Sequence, residues 1–73
     1  MDTRKDILRP FADRLKQLRL KRKLSQESLA ELAGMNRNYV GDVERGKRNP
    51  CLINIVKLAD VLRVHPSELF KNF

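Results

Sequence analysis

Residues 26–50 read QESLAELAGMNRNYVGDVERGKRNP. Ser25, just before them, is an N-cap candidate, because its hydroxyl can accept from the unpaired amides of a first helical turn. Leu29, Ala30 and Ala33 then recur at the spacing of a short buried helical face. Gly34 stops that helix where a left-handed backbone costs least. Asn36 caps a second helix, Val40 and Val43 supply its apolar side, and Gly46 ends it. The spacing predicts helices over 26–33 and 37–45, joined by a turn of about three residues that contains glycine. That is the signature of a helix-turn-helix.

Working outward, a first helix is expected over 10–22. Proline is tolerated in a first turn, where its missing amide has no helical partner. Phe11, Leu15 and Leu18 form one stripe at i, i+4, i+7. Residues 1–9 read as an N-terminal arm or a helix lead-in, with Arg4 and Lys5 able to touch DNA if it is an arm. After the loop 46–51, Pro50 introduces a helix over 52–62 with Leu52, Ile55, Leu58, Ala59 and Leu62 on its core face. His65 caps a last helix over 66–71, with Leu69 and Phe70 turned inward. The expected fold is all-α: a compact five-helix bundle with no strand, one domain over 10–73.

The chain has 73 residues, enough for one domain with one small core. Only 5% is aromatic, so that core should be mostly Leu, Ile, Val and Ala. Sixteen basic against nine acidic side chains leave a formal charge of +7, which suits a polyanionic partner, most simply nucleic acid. Cys51 is the single cysteine; it can form no internal disulfide and suits a reducing cytoplasm. No apolar run reaches the roughly 18 residues of a membrane span, and no signal-peptide hydrophobic region is present. His65 has no companion at ligand spacing, so no metal or cofactor is expected. No serine, threonine or cysteine has a plausible base and orienting acid, so no enzyme activity is expected either.

Gln26, Ala30, Gly34, Val40, Val43, Glu44, Gly46 and Pro50, with the spacing Q-x3-A-x3-G-x9-E-x-G-x3-P, resemble the DNA-binding domain of the lambda repressor and Cro type, the Xre family. The likeness runs from about Phe11 to Phe70. Within the family, MNRNYVGDVERGKRNP is most similar to restriction–modification controller proteins and other small stand-alone regulators. The resemblance implies a sequence-specific regulator of transcription on double-stranded DNA.

The second helix of such a motif enters the major groove with its N-terminal residues against base edges. Here those are Asn36, Arg37, Asn38 and, one turn on, Gly41 and Asp42. Arg37 can take guanine O6 and N7 together, and Asn38 can pair with adenine N6 and N7. Asp42 either accepts from cytosine N4 or orients Arg45 or Asn38. By resemblance, Arg37, Asn38 and Asp42 stand at the family's principal base-reading positions. Gln26 opens its helix where free amides and the positive dipole end suit a phosphate; by resemblance it also braces the first base reader. Tyr39 offers its hydroxyl to phosphate or sugar, or simply packs. Arg45, Lys47 and Arg48 should follow the DNA backbone. Gly41 either lets the helix approach DNA closely or is neutral. The resemblance also implies an ion pair between Arg19 and Glu44, and a glycine where Lys23 stands.

No sensor domain is expected in the chain, so regulation would run through concentration, occupancy and dimerisation. Homodimers on palindromes are the usual remedy for a small module. Ile53, Val56 and Phe73 either form a symmetric interface or are ordinary surface and core residues. The competing function is an antitoxin or bridging cofactor that acts mainly through a protein partner. The polar residues Arg37 and Asn38 speak against it.

Overall fold

The computed structural model describes residues 3–73. Four α-helices follow in order: α1 Thr3–Lys21, α2 Gln26–Ala33, α3 Arg37–Glu44 and α4 Leu52–Leu62. A 3-10 turn, Pro66–Phe70, comes last. There is no strand among the described residues.

α1 begins well before the expected start at Pro10. Its buried residues are Leu8, Phe11, Ala12, Leu15, Leu18 and Arg19. Leu8 therefore extends the apolar stripe back by one turn, and that burial carries the helix across Pro10, which lies inside it. A proline there removes one backbone hydrogen bond and normally costs about 3 kcal/mol or more. Thr3 to Arg9 are the first turns of α1, not a separate arm. Met1 and Asp2, the rest of the expected arm or lead-in, lie outside the described residues.

Caps set the helix-turn-helix. The Ser25 hydroxyl accepts from the Ser28 amide at 2.9 Å, and the Asn36 side chain accepts from the Asn38 amide at 2.7 Å. Gly34 takes φ 69°, and the Met35 amide reaches back to the Ala30 carbonyl at 2.8 Å. Lys23 adopts the same left-handed region at φ 58°, as does Arg63 at φ 57°. Neither is glycine, so each holds its helix end at some steric cost. α3 ends at Glu44, with Arg45 as its cap and not its last residue, before Gly46 turns the chain at φ 72°.

One core joins the elements. Phe11, Leu15 and Leu18 of α1 meet Leu29, Ala30 and Ala33 of α2, Val40 and Val43 of α3, Leu58, Ala59 and Leu62 of α4, and Leu69. Of the expected core residues, Ile55 is only half-buried and packs against the cluster, and two others lie outside it. Leu52 is 73% exposed, because it opens α4 ahead of Ile55, where the helix begins to pack against the core. Phe70 is 40% exposed; its ring lies against Phe11 at 5.6 Å on one side and Phe73 at 5.5 Å on the other. The expected fifth helix is too short to be more than a 3-10 turn and stops at Phe70. It is tied to α1 by Arg14, whose Nε donates to the Glu68 carbonyl at 2.8 Å and whose Nη2 meets the Glu68 carboxylate at 3.0 Å. The His65 ring nitrogen caps it from the Ser67 amide at 3.1 Å.

Candidate nucleic-acid interface

α3 is fixed from behind. Its inner face buries Val40, Gly41, Val43 and Glu44. Arg19 of α1 meets the Glu44 carboxylate with Nε to Oε2 at 2.6 Å and Nη2 to Oε1 at 3.0 Å. Both side chains are buried, Arg19 to 9% exposure and Glu44 to 3%. The third donor of Arg19 goes to the Leu24 carbonyl at 2.7 Å, so one guanidinium ties α1, the turn before α2 and α3 together. Among the described residues, no buried side-chain nitrogen or oxygen lacks a partner. A buried pair needs that complete satisfaction to offset desolvation.

Gln26 joins the same cluster: its amide donates to Glu44 Oε1 at 3.1 Å. The side chain of Gln26 is thus tied to Glu44. A Cβ on Gly41 would lie 3.3 Å from Gln26 Oε1 and 3.2 Å from Arg45 Nη1. Gly41 thus makes room for two side chains of its own fold. Nothing in that geometry requires a close approach to DNA.

The outer face begins with Asn36, Arg37 and Asn38, all exposed. The Asn36 amide oxygen is committed to its cap. Arg37, 67% exposed, lies 3.3 Å from the Glu27 carboxylate of α2. Ser25, Gln26, Glu27, Arg37, Asn38, Gly41 and Arg45 line one open concavity between the start of α2 and the face of α3. Asp42 faces Arg45, with Oδ1 2.5 Å from Nη2, and its other oxygen is 4.0 Å from Arg48. Of its two alternatives, orienting Arg45 is the one this geometry supports. The Arg48 guanidinium sits 5.1 Å from the centre of the Tyr39 ring, and the Tyr39 hydroxyl accepts from Asn54 of α4 at 3.0 Å. Tyr39 is half-buried and packs; its hydroxyl accepts from Asn54, and the phenolic O–H is the group that could donate to a phosphate. Lys47 is exposed in the loop beyond.

Three contributors escaped the sequence reading. Arg9 of α1 donates to the Glu44 carbonyl at 2.7 Å and the Arg45 carbonyl at 3.4 Å. Glu27 supplies the partner of Arg37, and Asn54 supplies that of Tyr39. All three act across elements. The only local signal was the i, i+4 spacing of Arg9 and Asp13, which gives an ordinary surface pair at 3.1 Å.

An N-capped helix that shows its polar N-terminal face, braced from behind by a buried ion pair and flanked by arginines, defines a helix-turn-helix protein. A family model described as Helix-turn-helix matches residues 15–69, and the chain belongs to that family. It is 43% identical over 68 residues to control protein C.MunI of a Mycoplasma species, covering 92% of each chain. It is 43% identical over 60 residues to control protein C.BamHI of Bacillus amyloliquefaciens, covering 81% of this chain and 74% of that one. The crystal structure of the restriction–modification controller protein C.AhdI from Aeromonas hydrophila superposes with a TM-score of 0.85 at 56% identity, over 86% of this chain and 96% of that one. The chain is a DNA-binding regulator of transcription. No helix among the described residues is long and apolar enough to cross a membrane.

Proposed function

We propose that the protein controls restriction–modification genes by binding, as a homodimer, a two-fold symmetric site in double-stranded DNA. The carrying observation is the display of Arg37 and Asn38 on the exposed first turn of a firmly braced α3. Arg37 reads guanine and Asn38 reads adenine from the major groove. Asn36 shares that turn, and Asp42 aims Arg45. Gln26, Tyr39, Arg45, Lys47 and Arg48 hold the phosphates, which positions the reading helix without carrying sequence information. The likeness to C.MunI, C.BamHI and C.AhdI supports the choice of regulated genes.

The second copy docks on the outer face of α4. Leu52, Ile53 and Val56 are exposed there, and Phe73 is exposed at the end of the chain. Apolar side chains grouped in this way on a small monomer suit a symmetric contact.

Selection from a randomised duplex pool tests the proposal. The expected product is a palindrome whose half-site centres lie about 34–36 Å apart, bound by two chains. A single asymmetric half-site bound by one chain overturns the dimer. Genes for a methyltransferase and an endonuclease beside the selected site in the source genome are expected, and a site lying elsewhere overturns the choice of genes.

A further inference from the structure

We infer that Arg9 is a positioning residue for DNA reading, acting through the C-terminal end of α3 and never on DNA itself; this rests on the proposed base-reading role of α3. The last carbonyls of a helix have no partner within it, and they carry the negative end of its dipole. α3 makes that end worse than usual. Its last turn has no basic residue and two carboxylates, Asp42 and Glu44. Each excess charge has a separate arginine. Arg19 takes the Glu44 side chain, and Arg45 takes that of Asp42. Arg9 takes the main chain: its Nη2 donates to the Glu44 carbonyl and its Nη1 to the Arg45 carbonyl.

The same guanidinium bears on the exit from the helix. Arg9 Nη1 would lie 3.5 Å from a Cβ placed on Gly46, so it packs over the left-handed residue at the turn. Beyond that turn come Lys47 and Arg48, the proposed phosphate contacts. The turn is otherwise closed by two amides, Gly46 to the Val43 carbonyl at 3.0 Å and Lys47 to the Asp42 carbonyl at 2.9 Å. Asp13 holds Arg9 Nε at 3.1 Å and aims it. Arg9 thus joins the first helix to the one stretch of backbone where base reading hands over to phosphate contact.

Arg9→Gln and Arg9→Lys, made in the full chain, separate this role from two simpler ones. Hydrogen exchange is measured without DNA. Binding is measured at several salt concentrations on a duplex selected by the wild-type chain and on a random duplex. Arg9→Gln should speed exchange at the Gly46 and Lys47 amides about tenfold, leaving Leu29 and Ala30 of α2 unchanged. It should weaken binding to the selected duplex about tenfold with an unaltered logarithmic salt slope. Arg9→Lys, which keeps the charge and a single donor nitrogen in place of the fork, should recover part of both. A slope reduced by about 1 per chain makes Arg9 a phosphate contact and overturns the inference. So does faster exchange throughout the chain, which makes Arg9 a general stabiliser, or unchanged binding. A wild-type chain that selects no sequence overturns the base-reading role of α3 and the Arg9 assignment with it; a selecting wild type with unchanged Arg9→Gln binding overturns the assignment alone.

Discussion

Arg19 and Glu44, 25 residues apart, meet through two hydrogen bonds of 2.6 and 3.0 Å in a nearly water-free site. Each partner has a further tie, Arg19 to the Leu24 carbonyl and Glu44 to the Gln26 amide. The pair is therefore a joint between three helices. Removing one member of a buried pair leaves the other charge stranded, at a cost of about 3–5 kcal/mol. Arg19→Ala and Glu44→Ala should each lower the urea midpoint by a corresponding amount. The double variant should lose clearly less than the sum of the two. Additive losses would show that the two side chains act separately.

Arg37 and Lys47 should fail differently. A bidentate contact from Arg37 to guanine is worth about 1–3 kcal/mol of discrimination. Arg37→Ala should weaken the selected duplex far more than random DNA and relax one base pair per half-site. Lys47→Ala should weaken both duplexes about equally and reduce the logarithmic salt slope by about 1 per chain. A parallel loss on both duplexes with base preference intact would make Arg37 a backbone contact.

Gly41 sets stability against binding. Alanine in a helix middle is favoured over glycine by about 1 kcal/mol. The atoms a new Cβ would press on are side-chain ends of Gln26 and Arg45, which can shift by a few tenths of an ångström. Gly41→Ala should therefore raise the urea midpoint slightly and weaken DNA binding, because both displaced groups are proposed backbone contacts. A variant that binds as well as wild type would remove Gln26 and Arg45 from the interface.

The proposed dimer face can be tested by charge. Val56→Glu places a carboxylate on the exposed side of α4, away from Leu58 and Ala59. Sedimentation should show a monomer at concentrations where the wild type is paired, with helical circular dichroism unchanged. Persistence of the pair would move the interface elsewhere.

Glu68 supplies a pH dependence. Lys71 holds its carboxyl below the ordinary value of 4.5; burial opposes it in part, and Arg14 adds a smaller downward pull. A carboxyl lowered in the folded state stabilises fully above its unfolded pKa. That contribution disappears as pH falls through the folded value. The wild type should thus exceed Glu68→Gln in urea midpoint near neutrality, and the difference should shrink in acid below pH 4.5. A difference constant from neutrality to strong acid would show that the carboxylate charge is irrelevant there.

Much of this structure is legible because it is local. The Ser25 and Asn36 caps, the Gly34 and Gly46 turns and the Val40 and Val43 stripe each need only a few neighbouring residues to read. The start of α1 is not legible in this way, because Pro10 is a strong local stop signal that tertiary burial of Leu8 overrides. The spacing of Leu52 fits the α4 stripe, yet the core does not extend that far along the helix. The pairings Arg9 with α3, Glu27 with Arg37 and Asn54 with Tyr39 depend on how helices cross. Single-sequence periodicity carries no such information.

Arg37, Arg45 and Arg48 each face a carboxylate from their own chain. Such exposed pairs are worth little, on the order of 0–1 kcal/mol, so nucleic acid can displace them readily. They nonetheless hold the guanidinium groups out and in place before any duplex arrives. Where Glu27 and Asp42 stay beside their arginines, they cancel part of the charge the duplex meets, and fewer cations leave its surface than a formal +7 implies. On the proposed interface the chain would bring some of its own counter-ions to the duplex, which would buffer its occupancy of DNA against changes in the ionic content of the cell.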